Sequence, residues 1–94
     1  MYQIGYSGSF KKDLKKLKKR SIINHETLRK FIVELQKTGH KGVDRQYKPH
    51  TLIGEYSKHW ECHVLNDLLL IWLQNDQEMT IILVRTGTHS DLFK

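Results

Sequence analysis

Leu68-Leu69-Leu70-Ile71-Trp72-Leu73 is a run of six apolar residues, unbroken by any polar one, in a chain of 94. Strict apolar–polar alternation marks a strand with one wet face. A short unbroken run bounded by turn residues marks a strand covered on both faces. Asn66-Asp67 before it and Asn75-Asp76-Gln77 after it supply those turns. A chain of this length has apolar material for one core, not two. The run therefore predicts the inside of a sheet that the other segments have to cover.

Trp60–Leu65 and Met79–Val84 flank it as strand candidates, and hairpin turns between the three predict an antiparallel meander. Leu52–Tyr56 is a further short strand candidate. At the N-terminus Tyr2, Ile4 and Tyr6 alternate with Gln3 and Gly5, the period of a strand. Ser7-Gly8-Ser9 breaks that alternation and offers a hydroxyl cap for a helix. Phe10, Leu14 and Leu17 form its narrow apolar stripe, with Lys11, Lys12, Lys15, Lys16, Lys18 and Lys19 around it. A second helix is predicted from Asn24 as N-cap to a stop at Gly39. Its stripe is Leu28, Phe31, Ile32 and Leu35, and Glu26 lies in the first turn where the dipole favours an anion. Residues 40–51 read as an irregular loop, with Pro49 restricting Lys48 to extended geometry. The order predicts an α+β fold: an N-terminal strand, two helices packed on one face of a mostly antiparallel sheet, and a short C-terminal helical turn. No repeat or linker divides residues 1–94, so one domain is expected.

Charge narrows the function classes. Residues 1–50 carry 13 basic and 4 acidic side chains (net +9), whereas residues 51–94 carry 3 and 6 (net −3). A basic half of this kind suits a polyanion or an acidic partner. No apolar run approaches the roughly 20 residues of a membrane span. One cysteine makes no internal disulfide. The opening Met1–Gly5 lacks the basic-then-apolar order of a signal peptide, and a cytoplasmic location is expected.

Six histidines are the main source of chemistry, since imidazole changes charge near neutral pH. His25 and His40 lie at helix ends and read as surface residues. His50, His59, His63 and His89 belong to the sheet half. On a strand, His59 and His63 would stand about 13 Å apart, too far for one zinc ion. A zinc site from His50, His63 and His89 is the remaining metal alternative, and no metal is expected. Glu61 and His63 share one face of their strand, opposite Trp60, Cys62 and Val64. Asp67 lies in the turn beyond, and Arg85 follows the last apolar run. Thr88 caps a turn that sets His89 and Phe93 one helical turn apart.

Three stretches carry a resemblance. They are Tyr47-Lys48-Pro49-His50-Thr51-Leu52-Ile53-Gly54, Glu61-Cys62-His63-Val64-Leu65-Asn66-Asp67 and Arg85-Thr86-Gly87-Thr88-His89-Ser90-Asp91-Leu92-Phe93. With the opening Tyr6-Ser7-Gly8-Ser9-Phe10-Lys11-Lys12-Asp13, they resemble YafQ-type toxins of the RelE/ParE superfamily of bacterial toxin–antitoxin systems. The sequence departs from the pattern at Thr51 and Asn66, where proline is usual, and at Glu61, where aspartate is common. The resemblance implies a RelE-like fold and a ribosome-dependent endoribonuclease that cuts messenger RNA and is neutralised by a cognate antitoxin. Its catalytic positions fall on His50, His63, Asp67 and His89, with Arg85 as the phosphate-binding arginine and Phe93 as the aromatic near the C-terminus.

RNA cleavage through the ribose 2′-OH needs a base, an acid and a cation for the extra phosphorane charge. Imidazoles fill either proton-transfer role, and arginine offers a fork to phosphate oxygens. Phe93 is expected to stack on a base. Lys48, Glu61, Lys12, Lys15, Lys16 and Lys19 complete the expected substrate-binding set, and no cofactor is needed. Two alternatives stand beside this reading: a non-nucleolytic ParE-like toxin acting on DNA gyrase, and an inactive RNA-binding relative.

Overall fold

A computed structural model describes residues 1–20 and 25–93, with His25 described by its backbone alone. The predicted N-cap Asn24 and the side chain of His25 lie outside the described residues. The elements run β1 (Gln3–Tyr6), α1 (Gly8–Arg20), α2 (His25–Thr38), β2 (His50–Thr51), β3 (Trp60–Leu65), β4 (Leu68–Asn75), β5 (Thr80–Gly87) and α3 (His89–Leu92). The five strands form one sheet in the order β1-β5-β4-β3-β2. β1 and β5 pair in parallel, and the other neighbouring strands of the sheet pair antiparallel. The α+β expectation is met, helices and meander included. Among the described residues no helix is long and apolar enough to cross a membrane.

The apolar run is the centre of the sheet. Leu68, Leu70 and Trp72 face the helices in a core with Phe10, Leu17, Leu28, Leu35, Cys62, Val64, Ile81 and Leu83. Leu69 and Ile71 face the other way, under Leu92 with Leu52, Tyr56 and Val84 around them. Each large apolar side chain taken fully out of water contributes roughly 1.5–3 kcal/mol, so this strand is buried on both sides for an energetic reason. Ser7 starts α1 as the hydroxyl cap, its Oγ accepting from the Phe10 N–H at 3.0 Å.

Several expectations are corrected. Leu52–Tyr56 is not a strand. Gly54 has φ +77°, Gly54–Tyr56 forms a 3-10 turn, and Ile53 is 93% exposed. A positive φ turns the chain where a strand would continue. The 40–51 segment is more ordered than a loop, holding 3-10 turns at Gly39–Gly42 and Arg45–Tyr47 and then β2. Lys48 is left-handed rather than extended (φ 50°, ψ 53°). The turn's closing bond from the Lys48 N–H to the Arg45 carbonyl overrides the bias of the following proline. His40 is half-buried, not a free surface residue, because its ring stacks on Trp60 with centroids 4.0 Å apart.

β5 runs to Gly87, three residues past the predicted end, and carries a bulge. Trp72 pairs with Leu83 but Ile71 pairs with Arg85, so Val84 is extra. One inserted residue reverses the alternation beyond it. Arg85 is thereby moved from the helix face, where Leu83 lies, into register with Ile71 on the opposite face.

Candidate active site

The face away from the helices gathers the predicted residues in two rows across the sheet. Arg85 pairs with Ile71, Ile71 with Glu61, and Glu61 with His50. One step along, Gly87 pairs with Leu69, and Leu69 with His63. Leu69 and Ile71, both fully buried, make an apolar floor. Polar groups from β2 and β3 stand on one side of it and those from β5 and α3 on the other. Strands lie about 4.8 Å apart, so the floor is about 10 Å wide from backbone to backbone.

On the β2–β3 side His50 is held at both nitrogens. Nδ1 lies 2.7 Å from the Lys48 carbonyl and Nε2 lies 3.1 Å from Glu61 Oε1. A carbonyl only accepts, so Nδ1 carries a hydrogen. Nε2 then meets a carboxylate oxygen, and that approach is attractive only with a proton between them. Glu61 is 3% exposed, and its second oxygen has no partner among the described residues. Glu61 thus lies buried beneath the His50 ring. His63 stands beside His50, ring centroids 6.4 Å apart, and its ring makes no hydrogen bond among the described residues. Lys48 and His63 line one cleft of about 300 Å³ with Gln46, Tyr47 and Asn66. Cys62 points into the core, where burial pushes its thiol pKa up.

On the β5–α3 side Thr88 and Asp91 form a reciprocal capping box that starts α3. Arg20 reaches from the end of α1 to Asp91 at 2.9 Å and holds its carboxyl down at about 2. Asp67 accepts the backbone N–H of His89 at 3.2 Å. It therefore positions α3 and leaves the His89 imidazole without a hydrogen bond among the described residues. His89 and Phe93 lie a turn apart as predicted, ring centroids 5.3 Å apart.

Arg85 is the most constrained group in the site. Its Nε donates to Asp13 Oδ2 at 2.7 Å and its Nη2 to Asp13 Oδ1 at 3.1 Å. Asp13 Oδ2 also accepts the Thr86 N–H at 3.1 Å. Beyond Leu83 β5 has no β1 residue beside it, and Ser7 and Asp13 of the following segment satisfy that edge. Asp13 pushes the Arg85 pKa up, so the guanidinium stays charged. Lys12 and Lys16 line a cleft of about 340 Å³ with Ser9, Asp13 and Arg85. Lys15 and Lys19 are exposed on the same helix but are not part of that cleft.

Two site residues escaped the sequence reading. Asp13 is the one acid among six lysines of α1 and occupies the stripe itself, three residues after Phe10 and four before Leu17. That position was the available signal, because a carboxylate on an apolar stripe needs a buried partner. Tyr56 had none, lying in a segment whose turn conformation was read as strand. Its hydroxyl accepts from Arg85 Nη1 at 3.2 Å, and its ring lies edge-on to Phe93 at 6.2 Å. Among the described residues no three His, Cys, Asp or Glu side chains converge as a metal ion would require.

Residues 2–94 match the family model described as the bacterial toxin of type II toxin–antitoxin systems, YafQ. The chain is 33% identical over 92 residues to the mRNA interferase toxin YafQ of Escherichia coli K12, covering 96% of this chain and 94% of that one. A metal-bound toxin from Helicobacter pylori superposes with a TM-score of 0.85 at 39% identity, over 99% of this chain and 100% of that one. YafQ in the E. coli DinJ–YafQ complex superposes with a TM-score of 0.82 at 32% identity, over 100% of both chains.

Proposed function

The chain belongs to the YafQ family of toxins from bacterial type II toxin–antitoxin systems, and from that membership we propose that it is an endoribonuclease. In this reading it cuts messenger RNA on the translating ribosome, needs no metal ion, and is held in check by an antitoxin. The observation that carries it is the placing of two imidazoles that make no ring hydrogen bond among the described residues. His63 pairs with Leu69 on one side of the floor, and His89 lies two residues beyond Gly87 on the other. Arg85 stands beside the same floor.

Cleavage proceeds by attack of the ribose 2′-oxygen on the adjacent phosphorus. The 2′-OH proton passes to one imidazole, the bond from phosphorus to the 5′-oxygen breaks, and the other imidazole protonates that oxygen. Nucleophile and leaving group lie on opposite sides of phosphorus, which two imidazoles across a floor can serve. Each proton transfer is worth about 10²–10⁴-fold. Arg85 stabilises the phosphorane charge. His50 works beside His63, anchored by Glu61, while Asp67 keeps His89 in place. Phe93 stacks on a base, and Lys48, Lys12, Lys15, Lys16 and Lys19 meet phosphates. The products carry a 2′,3′-cyclic phosphate and a 5′-OH.

An antitoxin partner is supported by the relatives crystallised as the E. coli DinJ–YafQ complex. The test of the activity is mRNA cleavage in a translating extract by His63→Ala and His89→Ala. Each is expected to be at least about a hundredfold slower than the parent, and parental rates from both would contradict the reading.

A further inference from the structure

Arg85 has five N–H groups and uses three of them inside the protein. Nε–H and one Nη2–H go to Asp13, and one Nη1–H goes to the Tyr56 hydroxyl. The edge held by Asp13 is closed by two short bonds, so the guanidinium cannot turn over to meet a substrate. A phosphate is left the two N–H groups that these bonds do not use, one on each terminal nitrogen. The Tyr56 hydroxyl stands at Nη1, beside one of them.

Tyr56 closes the 3-10 turn Gly54–Tyr56, and its half-buried ring packs with Leu52 and Val84 against Leu69, Ile71 and Leu92. Edge-on contacts to His59 at 5.6 Å and Phe93 at 6.2 Å hold the ring from two directions. The hydroxyl oxygen accepts from Arg85, so its own hydrogen has to be donated elsewhere. No acceptor for it exists among the described residues, although the oxygen lies 3.2 Å from a permanent cation. A hydroxyl that accepts from a cation is polarised into a stronger donor. The group it suits is an anion that also binds the guanidinium.

Resting on the endoribonuclease reading, we propose that the Tyr56 hydroxyl is a second donor to the scissile phosphate and forms a two-point clamp with the unused N–H groups of Arg85. Tyr56 bonds one non-bridging oxygen while Arg85 takes the other. Because its ring touches Phe93, the same residue ties the phosphate clamp to the aromatic that receives a base. Tyr56 thus sets the distance between the base and the cleaved bond.

Tyr56→Phe keeps the ring and removes only the donor. Single-turnover cleavage of ribosome-bound mRNA is expected to fall by at least about tenfold, within the 10²–10³-fold that loss of one such donor can reach, with ribosome affinity unchanged. The decisive readout is a pair of substrates with sulfur at one or the other non-bridging oxygen of the scissile phosphate. Sulfur at the oxygen that Tyr56 bonds should slow the parent, and should slow Tyr56→Phe no further relative to its own oxygen substrate. That ratio is taken within one protein sample and does not depend on how much of it is folded. An equal sulfur penalty in both proteins, or parental cleavage by Tyr56→Phe, overturns the clamp. If the parent itself fails to cut ribosome-bound mRNA, the endoribonuclease reading falls instead.

Discussion

Asp13 and Arg85, 72 residues apart in sequence, are joined by two parallel hydrogen bonds of 2.7 and 3.1 Å that tie the lysine-rich helix to the sheet strand bearing the site. The same carboxylate satisfies the Thr86 backbone where β1 has ended. Its burial beside a cation makes it a tie between helix and sheet.

Asp13→Ala should therefore lower folding stability by about 1.5–3 kcal/mol, the range for hydrogen bonds to a charged group, as read by urea denaturation. Cleavage per folded molecule should fall as well, because the guanidinium is freed to swing. A variant with parental stability and parental activity would show that the pair organises nothing.

The lysines of α1 divide by position. Lys12 and Lys16 share the Arg85 cleft, whereas Lys15 and Lys19 do not. Replacing all four with glutamine should leave thermal stability nearly unchanged, since exposed charges contribute little. Ribosome affinity should fall, and its slope against log salt should flatten by roughly 0.7–0.9 for each phosphate that is no longer neutralised. The Lys12/Lys16 pair should account for more of that fall than the Lys15/Lys19 pair. Unchanged binding at every salt concentration would reduce the helix to a solvated face.

α3 is held by a carboxylate with a depressed pKa. Asp91 sits at about 2 rather than its ordinary 3.8, because Arg20 and the Thr88 cap favour its charged form. A lowered folded-state pKa contributes stability that is present above the unfolded value and is lost as pH falls through the folded one. The docking of α3 should thus weaken between about pH 4 and pH 2. Amide exchange of residues 88–92 should rise across that window, and in Arg20→Gln the rise should shift to higher pH. The same titration in both proteins would show that Arg20 does not hold this helix.

Much of this architecture was readable from residue patterns. The unbroken run Leu68–Leu73 announced a strand covered on both faces, and the stripe of α2 announced its core face. Glu61 and His63 were placed on one side of β3 by alternation alone. What escaped depended on tertiary packing. The bulge at Val84 that moves Arg85 to the site face has no local signature. Tyr56 was hidden by a turn that only the positive φ of Gly54 reveals, and Lys48 by a hydrogen bond that outweighs its proline neighbour. The burial of Glu61 under His50 comes from the pairing of β2 with β3, a pairing of two residues too short to predict.

In the proposed function, imidazoles on β3 and α3 cut mRNA through its own 2′-OH. The chemical nature of the new 3′ ends reports on this when a translating extract receives the parent protein, His63→Ala or His89→Ala. The parent should produce fragments ending in 2′,3′-cyclic phosphate with 5′-OH partners, and each variant should yield them at least about a hundredfold more slowly. Fragments ending in 3′-OH, or undiminished cyclic-phosphate ends from both variants, would contradict it.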